Sequence, residues 1–121
     1  MTTHKDLIVW QKAMQLVLLV YRYTKSFPKE EMYGITGQMR RASVSIPSNI
    51  AEGYGRSSNK ELIHFLDIAM GSSSELETQI IISYKLQFLQ EPEYNELSSL
   101  NDEVMKMLAS LIRNKKSKLN T

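Results

Sequence analysis

The stretch SVSIPSNIAEGYG, residues 43–55, sets a proline inside a pattern that otherwise reads as helix, and the reading of that proline decides the fold. Ile35, Met39, Ala42, Ile46, Ile50 and Gly53 recur at helical spacing, with Gln38, Arg41, Ser45, Ser48 and Glu52 as a polar stripe beside them. The period passes through Pro47 without losing phase. A proline removes one backbone donor and crowds the carbonyl four residues earlier, here that of Ser43. The expectation is therefore one helix with a kink at Pro47, not two helices. Nearby serines can bond the freed backbone groups.

Working outward, a turn at PKEEMYG precedes this helix, and a first helix lies upstream, after Thr3, whose spacing to Asp6 resembles a capping box. Its stripe reads Leu7, Trp10, Met14, Val17, Tyr21 and Thr24. Leu16, Leu18, Leu19 and Val20 lie alongside, more apolar surface than one core face absorbs, which points to a subunit interface. Downstream, GYGRSSN breaks the chain. Gly53 and Gly55 are read as letting it turn with positive φ. Ser58 and Glu61 then cap a third helix expected from Asn59 to about Leu89. Its seam is Leu62, Leu66, Ala69, Ser73, Leu76, Ile80, Ser83 and Gln87. Gly71 thins the middle of that helix, and close approach of another backbone is the expected compensation. Pro92 suits the first position of a fourth helix carrying Leu97, Leu100, Val104, Leu108 and Leu111, and the basic tail from about 113 is expected to fray. Short connections make neighbours antiparallel. The fold class is all-α, an antiparallel up-down-up-down four-helix bundle forming a single domain over 1–121.

The 121 residues include no cysteine, so neither a disulfide framework nor a thiolate metal site is available. The N-terminal MTTHKDLIVW lacks a basic region followed by a sustained apolar run, and no apolar run approaches the length of a membrane span. A cytoplasmic protein without membrane contact is expected. The net charge of +2 divides unevenly: residues 1–60 carry +5, 61–103 carry −8 and 104–121 carry +5. Such segregation can serve an acidic partner, a head-to-tail assembly, or merely solvation.

Catalytic chemistry finds little support. Glu61 and His64 have the Glu-x-x-His spacing of di-iron bundles, but those sites need two copies and further glutamates. Gly53-Tyr54-Gly55 lacks the rest of a dinucleotide or P-loop fingerprint. The serines have no histidine placed by a motif to activate them. No enzyme activity and no cofactor are expected. A basic set remains: Arg40, Arg56, Lys60, Lys12, Arg22 and Lys25 could contact phosphates without reading bases. Arg56, Lys60 and the free amides opening the third helix make a candidate anion site, with a plain cap as the alternative. The polar stripe puts Arg41 in a network with Glu52 and leaves Arg40 pointing outward.

Gln38-Met-Arg40-Arg41-Ala42, Ser45-Ile-Pro47-Ser48-Asn49-Ile50-Ala51-Glu52-Gly53, and Ala69-Met-Gly71-Ser72 followed by Glu75-Leu76-Glu77 together resemble the four-helix-bundle proteins encoded within intervening sequences of bacterial 23S ribosomal RNA genes. Leu7-Ile-Val9-Trp10-Gln11 and the segment from Phe27-Pro28 to Tyr33-Gly34 match as well. That family includes the accessory variability determinant of diversity-generating retroelements, a basic, barrel-like pentamer that binds nucleic acid and associates with a reverse transcriptase. The resemblance implies a bundle, a ring-shaped homo-oligomer with five as the favoured number, RNA or DNA as ligand and a reverse transcriptase as a partner class. It implies structural roles for Gln38, Arg41, Pro47, Asn49, Glu52, Gly53, Gly71 and Glu75, and no catalytic site. A nucleic-acid-binding accessory protein is the first reading. An oligomeric scaffold without nucleic acid is the alternative.

Overall fold

Thr3 caps as its spacing predicts, yet what it opens is a short 3₁₀ turn, His4–Asp6, in which the Thr3 hydroxyl accepts from the Lys5 amide and the Asp6 carboxylate accepts from the Thr3 amide. The first long helix starts only after Leu7. The computed structural model describes residues 3–119. Among these the helices are α1 (Ile8–Thr24), α2 (Ile35–Tyr54), α3 (Asn59–Lys85) and α4 (Glu91–Leu119), with a second 3₁₀ turn, Lys29–Glu31, in the α1–α2 connection.

The helices form an antiparallel four-helix bundle in which each packs on its sequence neighbours and α4 closes onto α1. Side-chain bonds fix the directions: Ser45 meets Ser72 across α2 and α3, Ser73 meets Asn101 across α3 and α4, and Lys12 pairs with Glu103 across α1 and α4. One end therefore gathers the starts of α1 and α3 with the ends of α2 and α4. Leu16, Val20, Met39, Ile46, Ile50, Leu66, Leu76, Ile80, Leu97 and Leu108 fill the core.

α2 runs without interruption through Pro47, which is itself buried. Side chains near the proline bond helix carbonyls, Ser43 that of Arg40 at 2.9 Å and Asn49 that of Ser45 at 2.8 Å. The predicted α2 stripe is the buried one, and the α3 seam is buried from Leu62 to Ser83. α3 stops four residues short of the expected Leu89. Gln87 takes φ 67, the Gln87 amide bonds the Tyr84 carbonyl, and the Phe88 amide reaches back to that of Ser83, which is a Schellman stop in which glycine is the usual residue.

Elsewhere the structure corrects the periodicity. In α1 the core line is Val9, Ala13, Leu16, Val20 and Thr24, while Met14 and Tyr21, expected inside, are exposed. The apolar side chains on both sides of that line made two registers equally legible, and packing against three neighbours chose the other one. Surplus apolar surface persists in Leu18 at 66% exposure and Ile8 at 60%. In α4, Asn101 and Ile112 replace Leu100 and Leu111 in the buried line, and Pro92 is the second helical residue. The tail does not fray among the described residues, since α4 continues to Leu119.

The glycines exchange roles. A Cβ on Gly71 would meet nothing within 4 Å, so within the chain no backbone approaches it. A Cβ on Gly53 would lie 2.9 Å from Leu62 Cδ1 and 3.1 Å from Phe65 Cβ, so this glycine lets α2 and α3 close together. No described glycine has positive φ, and Gly55 sits at φ −85.

Candidate nucleic-acid interface

The six cations singled out from sequence do not form one patch. Arg22, Lys25 and Arg40 lie toward the end of the bundle where α1 stops and α2 begins, whereas Arg56 and Lys60 lie where α2 stops and α3 begins. Fourteen residues of α2 separate Arg40 from Tyr54, roughly 21 Å at the α-helical rise, and Arg56 lies in the turn beyond. Lys12 sits between these ends and is paired with Glu103 at 3.3 Å.

Arg40 and Arg41 are also exchanged relative to expectation. Arg40 is half-buried: its Nε donates to the Thr24 hydroxyl at 3.0 Å, and its guanidinium lies 4.7 Å from the centre of the Tyr21 ring. Arg41 is exposed, and the carboxylate of Glu52 is taken by Arg56 at 2.6 Å. Arg41 lies three turns, roughly 16 Å, before Glu52 along α2, beyond side-chain reach, whereas Arg56 follows Glu52 by four residues. Of the other residues given structural roles, Pro47 and Gly53 are buried and Asn49 is half-buried, while Gln38, Gly71 and Glu75 are exposed. Glu75 accepts from the Gln79 amide at 3.1 Å.

The cations of the last turns of α4 change the picture. Because α4 stays helical to Leu119, Arg113, Lys115, Lys116 and Lys118 arrive at the end that already holds Lys5, Arg56 and Lys60. The Lys115 ammonium stands 5.8 Å from the centre of the Tyr54 ring, which places the tail beside the last turn of α2. Cations in the last turns of a helix also complement its dipole, a signal from which the continuation of α4 was readable. Among the described residues the carboxylates at this end are Asp6, bonded to the Thr3 amide, Glu52, paired with Arg56, and Glu61, beside its own cap residue Ser58. Arg56 further stacks over Phe65 at 4.8 Å, which holds its guanidinium in place. Burial pushes the Tyr54 hydroxyl above the ordinary value of 10.0.

The expected cap at Ser58 is present, with its hydroxyl accepting from the Glu61 amide at 3.2 Å. Glu61 and His64 are both exposed, and among the described residues no three His, Cys, Asp or Glu side chains gather as metal ligands. No described helix is long and apolar enough to cross a membrane.

Residues 5–110 match the 23S rRNA-intervening sequence protein family. The chain belongs to that family. No curated protein matches it. Among solved structures it is similar to a protein of unknown function from the S23 ribosomal protein family of Bacteroides thetaiotaomicron VPI-5482. The two are 23% identical with a TM-score of 0.79, over 87% of this chain and 98% of that one. At that identity the likeness speaks for the fold of this family member. The match stops at residue 110, and the basic last turns of α4 lie beyond it.

Proposed function

We propose that this family member is a non-enzymatic accessory protein that binds RNA or DNA through phosphate contacts at the basic end of the bundle and works as a homo-oligomer. One observation carries the reading: α4 delivers Lys115 and its neighbours to the end that holds Lys5, Arg56 and Lys60. Phosphate contacts need clustered cations and no base-reading element, so the binding is sequence-tolerant and weakens as salt rises. Anisotropy with mixed-sequence RNA and duplex DNA over a salt series tests it. Micromolar binding at low salt that falls with added salt supports the proposal; no shift at low salt removes it and leaves the scaffold reading.

The exposed Ile8, Met14, Leu18 and Tyr21 on α1 support oligomerisation, since a second copy is the available cover for that surface. Resemblance favours five subunits, and light scattering at micromolar concentration decides: a monomer mass removes this half of the proposal. A reverse transcriptase is the partner class that resemblance supplies, and co-purification from cells expressing both proteins tests it.

A further inference from the structure

Between the 3₁₀ turn His4–Asp6 and the last turn of α2 lies a cleft of about 700 Å³, lined by Lys5, Leu7, Ala51, Tyr54 and Gly55 among others. Its volume is within the range of small-molecule sites, and its lining combines an apolar floor with charge at the rim. Leu7, Ala51 and the half-buried Tyr54 ring supply the floor. Lys5 stands at one side next to Asp6, whose carboxylate accepts from the Thr3 amide, and Lys115, outside the lining itself, reaches the Tyr54 ring from α4. Gly55 lines the cleft, is exposed, and has φ −85, so the fold does not require a glycine there; the missing side chain leaves space.

We infer that this cleft takes one unstacked base of a single-stranded nucleic acid, with Lys5 and Lys115 holding the phosphates that flank it. The inference rests on the proposed phosphate binding at the same end and adds what kind of strand is bound. An aromatic ring beside two cations is the arrangement that single-strand binders use, because every base has a face to stack and every strand has a backbone to neutralise. A duplex keeps its base faces inside the stack, so it can use the cations and not the cleft. The Tyr54 phenol, like any tyrosine near neutral pH, carries no charge to repel the phosphates beside it.

The single tryptophan gives a local readout. His4 lines the cleft, and its ring meets that of Trp10 edge-on at 5.3 Å, so an occupant should alter Trp10 emission. The experiment titrates the full chain with a short oligouridylate and with a duplex of equal phosphate number, following anisotropy and Trp10 fluorescence. The single strand is expected to bind about ten-fold tighter than the duplex and to quench Trp10, the scale of one stacked base. Tyr54→Leu should bring the two affinities to within about two-fold, whereas Tyr54→Phe keeps the preference. Should Tyr54→Leu fail to fold, Gly55→Leu blocks the mouth from an exposed position and should have the same effect. Equal wild-type affinities, or a preference that survives the Tyr54→Leu or Gly55→Leu change, overturn the cleft while salt-dependent binding of both polymers sustains the phosphate reading. Binding of neither polymer at low salt overturns both.

Discussion

At the end where α1 and α3 begin, Arg113, Lys115, Lys116 and Lys118 join Lys5, Arg56 and Lys60, and among the described residues the nearby carboxylates are few and already occupied. At the opposite end, Arg22, Lys25, Lys29, Arg40, Arg41 and Lys85 sit among Glu30, Glu31, Glu91, Glu93 and Glu96. The counts of cations are similar and the outcomes differ, because helix direction sorts the acids. Acidic residues favour a helix start and basic ones its finish, so α4 alone, with Glu91 and Glu93 in its first turn and Lys116 and Lys118 in its last, gives the bundle an electrical polarity. A rule that stabilises one helix thereby decides which end of the molecule can attract phosphate.

The sharpest way to break this comparison is to reverse charge at each end in turn. Lys115→Glu with Lys116→Glu should lower nucleic-acid affinity about 100-fold at low salt and flatten the salt slope by about two units, whereas Lys25→Glu with Arg41→Glu should cost less than about five-fold. Larger loss from the second pair would assign binding to the other end. Next in size is the close approach behind Arg56 and Lys60. Gly53→Ala should cost about 2 kcal/mol in chemical denaturation, since the new methyl must push on Leu62 and Phe65. Gly71→Ala should instead add about 1 kcal/mol, the helix propensity gain with nothing to clash against; a loss there would mean that a partner subunit covers this face.

At the opposite end the two arginines should separate by thermal melting. Arg40→Ala loses the Thr24 bond and the Tyr21 stack and should cost about 1.5 kcal/mol, while exposed Arg41→Ala should stay within about 0.5 kcal/mol. Gln87→Gly should gain about 1 kcal/mol by relieving the left-handed backbone after α3. The smallest effect is on alkaline stability. The Tyr23 hydroxyl, bonded to the Glu96 carboxylate, and the Tyr54 hydroxyl, raised by burial, both titrate above 10.0 in the fold. Their contribution is complete below the unfolded value and is lost as pH rises through the raised ones, so Tyr23→Phe or Tyr54→Phe should shallow the decline of stability above pH 10.

Where one face alone was apolar, the sequence was sufficient. α2 and α3 show it, since their seams from Met39 to Gly53 and from Leu62 to Ser83 are the buried ones. α1 shows the opposite case: apolar side chains surround its middle, and periodicity cannot say which of two adjacent lines faces inward. Arg40 and Arg41 exchange the places their stripe predicts because a one-residue step on a helix is a large rotation, and Tyr21 and Thr24 from α1 settle what the stripe cannot. The basic end escaped notice for a different reason. It is assembled from the beginnings and ends of all four helices, so no window of sequence contains it, and its main contributor lies in residues whose composition alone reads as a loose tail.

Deep between α3 and α4, the Ser73 hydroxyl donates to the Asn101 side-chain oxygen at 2.7 Å, and the Asn101 amide donates to the Ser73 carbonyl at 3.1 Å. Sliding α4 by one turn, about 5.4 Å, would strand both groups among leucines and leave buried polar atoms unpaired. This pair is thus the zero mark of a ruler. Lys115 stands fourteen residues, roughly 21 Å, along α4 from Asn101, and a substitution at the mark would displace the charges at the tip without touching any of them.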